Sequence, residues 1–242
     1  MTEARQENRA LVIGCSDGIG LALVRKLLAE GWQVTGISRS LSSVTHENYS
    51  HHIRDVAAEG YREFVGELAA QRGPFSAGVY CVGIGEGFDP ANLDPDARVM
   101  RVNLLAAVET AAAVIPEMVR QRRGKFIVLS SMADCLPLPN SPAYAGSKAG
   151  VTAYFESLAL ALRGTGVTVT NIRFGFIDTK MAISPVKPFL RSPEWAAGVI
   201  LGALNRNAIR VSRPRRMALL IAFLSWVANW RIRLVSLLRR SN

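Results

Sequence analysis

Apolar residues along this chain fall into two patterns. Residues 10–13, 32–38, 77–82, 125–129 and 167–174 are short, nearly unbroken apolar runs and read as strands. Between them, residues 19–30 carry Leu21, Val24, Leu27 and Leu28 at helical spacing and stop at Gly31. Residues 61–71, 104–122, 142–163 and 193–205 read as helices in the same way, with weaker strand signals at 51–54 and 209–211. Strands alternate with helices, and most strands are apolar at every position rather than every second one. The pattern therefore predicts an α/β fold: a doubly wound parallel sheet of the Rossmann type, covered by helices on both faces. No repeat, low-complexity tract or linker interrupts it. The expected organisation is one domain over residues 1–212 and a helical extension over 213–242.

Charge changes this picture at one end only. The net charge of +10 invites a nucleic-acid reading. Yet Glu194 is the last acidic residue, and nine arginines follow it without a counter-charge, from Arg206 to Arg240. The rest of the chain is close to neutral, and no nucleic-acid module is present, so no nucleic-acid partner is expected. The basic segment is also apolar. The fourteen residues between Arg216 and Arg231 are too few for the roughly 20 that cross a bilayer. Trp226 and Trp230 flanked by arginines suit peripheral contact with an anionic membrane; packing against the body or a second subunit is the equal alternative. A hydrophobic content of 49% excludes wholesale disorder. The N-terminus lacks an apolar leader, and Cys15, Cys81 and Cys135 form no paired motif, so a reducing, cytoplasmic setting is expected. His46, His51 and His52 lack a supporting set of thiols or carboxylates at metal-ligand spacing; they read as solvated loop histidines, and no metal is expected.

Chemistry concentrates at strand ends. Gly14, Gly18 and Gly20, with Ser16, Asp17 and Ile19 between them, join a strand to a helix. Glycines there permit a tight turn and close approach of a pyrophosphate, and free amides at the helix start favour its negative charge. Tyr144 and Lys148 lie four apart in a helical segment, hence on one face. A phenol is a poor acid–base group at neutral pH, and a neighbouring ammonium lowers its pKa. Ser130 and Ser131 follow a buried strand, at the sheet edge where ligands of such folds bind.

The glycine loop, Asn103, a serine thirteen residues before the tyrosine, and Tyr144-x-x-x-Lys148 occur here in the order and spacing of one family. From about residue 9 to 211 the chain resembles the classical short-chain dehydrogenase/reductase family. The resemblance implies that Tyr144 exchanges a proton with the substrate oxygen. It implies that Lys148 lowers the tyrosine pKa and binds the nicotinamide ribose, that Ser131 holds the substrate oxygen, and that Asn103 positions a relay water. It further implies that the nucleotide contacts Asp55 and Val56 near the adenine, Cys81, Val82 and Gly83 after the fourth strand, and Gly175, Ile177 and Thr179 after the sixth. Many members of the family are homodimers or homotetramers, and the same is expected here.

Two stretches depart from the family pattern. Tyr80-Cys81-Val82-Gly83 stands where Asn-Asn-Ala-Gly is usual, and Phe174-Gly175 where Pro-Gly is usual. The second strand ends in Ser38 and Arg39 rather than a carboxylate, a phosphate fork that favours NADP(H). Asp17 opposes that preference and leaves NAD(H) open. The thirteen residues between Thr179 and Pro193 hold Met181, Ile183, Val186, Phe189 and Leu190, which with Leu136, Leu138 and Pro139 point to a small hydrophobic carbonyl or alcohol substrate. The expected activity is hydride transfer between a nicotinamide cofactor and such a substrate. The alternative is a dinucleotide-binding sensor or scaffold without turnover, docked by its tail.

Overall fold

Each apolar run packs beside another in a parallel sheet. The computed structural model describes residues 8–182 and 186–238. Its strands are β1 (Arg9–Ile13), β2 (Gln33–Ser38), β3 (Tyr49–Ile53), β4 (Ala77–Tyr80), β5 (Gly124–Ser131), β6 (Val167–Phe174) and β7 (Arg210–Arg213), in spatial order β3-β2-β1-β4-β5-β6-β7. Every pairing is parallel. The helices are α1 (Gly18–Ala29), α2 (Tyr61–Arg72), α3 (Asp94–Met100), α4 (Ala106–Arg120), α5 (Pro142–Ala161), α6 (Pro193–Leu204) and α7 (Arg215–Leu238).

Strand residues alternate between two cores, which is why both phases of the pattern are apolar. Leu11, Ile13, Phe126 and Val128 point to the side packed by α2, α4 and α5; Ala10, Val12, Ile127 and Ile172 point to the side packed by α1 and α6. Chain order reverses between β1 and β4. The loops leaving their carboxyl ends diverge there and open the crevice in which such folds bind ligands.

Three expectations are corrected. The long helix does not begin at Leu104: α3, a π-turn over Arg101–Leu105 and α4 run on from one another, so Asn103 lies inside a helical stretch rather than at its head. Asp94, Pro95 and Asp96 suit a helix start, with proline in the first turn and acids near the helix dipole. His51 and His52 are not loop residues but lie on β3, which starts two residues earlier than the pattern placed it. The tail helix has 24 residues and continues through Arg231 and Arg233. Among the described residues, the one helical stretch long and apolar enough to cross a membrane is 94–120, and half of it is buried in the body.

Candidate active site

The nucleotide side is built from backbone. Gly14 has φ +84° directly after β1, and a Cβ on Gly20 would lie 1.9 Å from the Gly14 carbonyl oxygen, so α1 can approach the loop this closely only through glycine. This is a cradle that fits a pyrophosphate. Ser16 is half-buried beside it, and Ile19 leans on the core under α1. Asp17 caps α1, accepting from the Gly18 amide at 2.7 Å, and pairs with Lys180 Nζ at 2.6 Å. The Lys180 ammonium and the Gly18 amide hold the Asp17 carboxyl below its ordinary pKa.

At the far end of the crevice, Arg39 is exposed, but Ser38 is not the free hydroxyl the sequence suggests. It is buried, donates to the Ser40 carbonyl at 2.8 Å and shares a hydrogen bond with His51 Nε2 at 2.8 Å. A buried hydroxyl so engaged cannot serve a phosphate fork, which leaves Arg39 as the cation there. Asp55 stands after β3, accepts from the Ala57 amide at 2.9 Å and lies 3.9 Å from Arg98. The Val56 side chain belongs to the core. After β4, Cys81 donates its amide to the Ile13 carbonyl, and Val82 packs over Gly14. Gly83 lies beneath Lys148, since a Cβ there would be 3.3 Å from Nζ. Burial pushes the Cys81 thiol well up, so it is neutral.

The catalytic side is built from side chains. Strand alternation splits the two serines ending β5. Ser130 turns to α5, donating to the Lys148 carbonyl at 3.0 Å, whereas Ser131 hydrogen-bonds the Tyr144 phenol and accepts from the Ala133 amide at 3.1 Å. Tyr144 and Lys148 are one turn apart on α5, with the ammonium 6.0 Å from the centre of the phenol ring. Lys148 is buried and donates to the Leu129 carbonyl at 2.9 Å; burial pushes its pKa down to about 8. Ser131, Tyr144 and Lys148 thus meet at the carboxyl edge of β5, next to Gly83 and Gly85.

The electrostatic expectation for the phenol is corrected. Burial raises the Tyr144 pKa, and Asp134 adds to the rise; the counterweight is the Ser131 hydrogen bond, not Lys148. Asp134 is itself held by Arg173 through both guanidinium Nε and Nη2, with Thr152 donating to it at 2.6 Å.

Asn103 is buried. Its Oδ1 accepts from the Ile84 amide at 2.8 Å, and its Nδ2 donates to the Ile84 carbonyl and to Ser147 Oγ, both at 2.9 Å. The side-chain amide braces the loop after β4 against α5. A residue that the sequence reading passed over completes this brace. Tyr80 donates its buried phenol to the Val102 carbonyl at 2.6 Å, inside the π-turn. It binds β4 to the long helix at a position where the family pattern has asparagine. The signal was present, as the departure itself.

The loop after β6 crosses both halves. Ile177 is buried, the Thr179 methyl sits over Gly18 (3.1 Å from a Cβ built there), and Met181 reaches to about 3.7 Å from a Cβ built on Gly83. Gly175 packs under Met217 of α7. Val186, Phe189 and Leu190 are exposed apolar residues on the same segment; Ile183 lies outside the described residues.

Comparison with known proteins identifies the family and the fold. Residues 8–187 match the model of the short chain dehydrogenase family. An uncharacterised oxidoreductase of Myxococcus xanthus is 32% identical over 227 residues, covering 86% of this chain and 88% of that one. A very-long-chain 3-oxoacyl-CoA reductase of Aspergillus fumigatus is 26% identical over 215 residues, covering 82% of this chain but 62% of the reductase's length. Among solved structures, a short chain dehydrogenase from Burkholderia cenocepacia in complex with NADP superposes with a TM-score of 0.81 at 22% identity, covering 96% of this chain and 98% of that one.

Proposed function

The chain belongs to the short-chain dehydrogenase family of NAD(P)-dependent oxidoreductases, and within it we propose that this protein reduces the carbonyl of an apolar, acyl-type substrate with NADPH. The observation that carries the reading is the meeting of Ser131, Tyr144 and Lys148 at the crevice edge, with burial keeping the phenol protonated. A phenol neutral at pH 7 can donate a proton to a carbonyl oxygen, and the reductive direction rests on likeness to the 3-oxoacyl-CoA reductase. When bound, the nicotinamide supplies the hydride. The protein's own part is to orient and polarise. The Ser131 hydroxyl holds the substrate oxygen beside Tyr144, the phenol delivers a proton to that oxygen, the Ser131 hydrogen bond stabilises the phenolate left behind, and the Lys148 ammonium would hold the ribose. Asn103 and Tyr80 hold the wall between them in place.

The preference for the 2′-phosphate rests on the exposed Arg39 and on the absence of a carboxylate at the end of β2. Asp17, which opposes an added phosphate, already has its charge matched by Lys180. The apolar substrate rests on Met181 beside Gly83, on the exposed Phe189 and Leu190 of the same segment, and on likeness to a reductase of 3-oxoacyl thioesters.

The test is turnover of a panel of ketones and 3-oxoacyl thioesters with NADPH by wild type and Tyr144→Phe. The expected loss in kcat/KM is about 10²–10⁴-fold. Unchanged turnover in the variant removes Tyr144 from the mechanism. Arg39→Ala should weaken NADPH about 10- to 100-fold and leave NADH unchanged, the size of one charge-assisted contact; equal weakening of both refutes the phosphate assignment.

A further inference from the structure

Helix α7 turns its apolar stripe outward. Among the described residues, Met217 and Ser225 pin its inner side. Met217 is buried against Gly175, and Ser225 donates to the Cys135 carbonyl at 2.7 Å. Gly175 follows β6 and Cys135 ends the 3-10 turn that starts one residue after Ser131, so α7 runs along the rim of the site. The opposite side carries Leu219, Phe223, Trp226 and Trp230, at steps of four, three and four residues, which is one helical stripe. Trp226 is 68% exposed and Phe223 61%, with their rings stacked on each other at 6.4 Å. A helix that only packed against its own body would face these residues inward.

What covers the stripe is decided by charge. Arg215 and Arg216 are exposed at the start of α7. A hollow of about 430 Å³ between α6 and β7 adjoins them, lined by Arg206, Arg210, Arg213 and Arg215. Glu156 neutralises Arg210. Burial, and after it Arg215 and Arg206, push the Arg213 pKa down, so like charges sit close to one another there. A second copy of this chain placed on the same face sets arginine against arginine, because a two-fold contact pairs a patch with itself. An anionic surface with an apolar interior complements both features: arginines reach the phosphates and aromatic rings sit at the acyl boundary.

We infer that α7 lies in the surface of an anionic lipid membrane, stripe inward, and so sets the mouth of the site against the bilayer. The substrate class follows, and this clause rests on the reductase reading: an apolar carbonyl compound dissolved in lipid, reaching Tyr144 without crossing water.

The binding claim is tested without turnover. The full chain is sedimented with phosphatidylcholine vesicles, with and without phosphatidylglycerol, and its tryptophan emission is recorded. Wild type should bind the anionic vesicles with a blue shift. The double variant Phe223→Ser, Trp226→Ser should bind at least about tenfold more weakly, as each ring buried in lipid contributes a factor of that order. Arg215→Glu with Arg216→Glu should abolish the preference for phosphatidylglycerol. These side chains are exposed, so the thermal unfolding of each variant should match wild type and show that it folds. Wild type that stays in the supernatant, variants that bind as wild type does, or a lipid-free dimer that Trp226→Ser dissociates would each overturn the inference. Vesicle binding together with no carbonyl reduction supports it and counts against the reductase reading alone.

Discussion

The two halves of the crevice use opposite materials. On the nucleotide side, Gly14, Gly18 and Gly20 present backbone, and the main charge is an exposed pair, Asp17 with Lys180. On the catalytic side, Lys148, Asn103 and Tyr80 are buried, and each is tied to a main-chain carbonyl or amide of another element. A bound pyrophosphate needs close approach and many weak donors, which backbone supplies at low cost. Proton transfer needs one phenol and one ammonium fixed relative to each other in a medium that shifts their pKa values, which requires burial and bracing.

The sharpest way to break this contrast is Lys148→Met. On the catalytic side a buried charge is held for function, so its removal should cut kcat/KM at least about 100-fold. It should also raise stability. The folded-state pKa of Lys148 is about 8, below its ordinary 10.5, so the unfolded chain binds more protons between those values. Wild-type stability therefore rises as pH goes from about 8 to 10.5, and at pH 7 the native state carries the full cost of a buried ammonium. The variant should be more stable at pH 7 by up to about 3 kcal/mol, less the hydrogen bond lost to Leu129, and the gain should shrink above pH 8. Urea unfolding at pH 7 and pH 10 checks this; a variant less stable than wild type at pH 7 would show the ammonium to be structural.

Gly20→Ala probes the other half. With a Cβ 1.9 Å from the Gly14 oxygen, the loop must move, and the expected result is a loss of several kcal/mol together with NADPH affinity. Calorimetric titration and thermal unfolding read both. Tight NADPH binding by this variant would mean that backbone approach does not define the nucleotide side.

These two positions were not equally legible. Glycines spaced around a strand-to-helix junction announce themselves, since few other residues tolerate that geometry, and Tyr144 and Lys148 follow from helical periodicity. The support was hidden because it is long-range. Tyr80 meets Val102 and Asn103 meets Ile84 and Ser147 across separations that no local pattern encodes. The same holds for Ser38, whose hydroxyl is taken by His51 of the neighbouring strand. The phenol's pKa was misjudged for a related reason. Helical spacing puts Lys148 near the ring, but burial and the Asp134 carboxylate, contributed by the turn after β5, set the direction.

Tyr80→Phe measures one such brace at smaller scale. It leaves the buried Val102 carbonyl without its phenol donor, at a cost of about 1–3 kcal/mol. Because the π-turn holds Asn103 and hence the loop over Gly83 and Gly85, kcat should fall more than nucleotide affinity. Stopped-flow reduction rates set against NADPH titration separate the two. An equal fall in both would place Tyr80 in general packing.

The smallest effect belongs to the exposed pair. Asp17→Asn keeps a helix-capping side chain but removes the charge that faces the phosphates of a bound nucleotide. Since Asp17 and Lys180 are largely exposed, stability should not change measurably. The gain should appear in binding, as a few-fold tighter NADPH at low salt that fades as salt is added, because the freed Lys180 ammonium then acts on the phosphates through solvent. If instead affinity falls, the Asp17–Lys180 pair is a clasp that holds the loop after β6 over Gly18. The nucleotide side would then depend on a fixed side-chain contact, as the catalytic side does, and the contrast between the halves would be one of exposure alone.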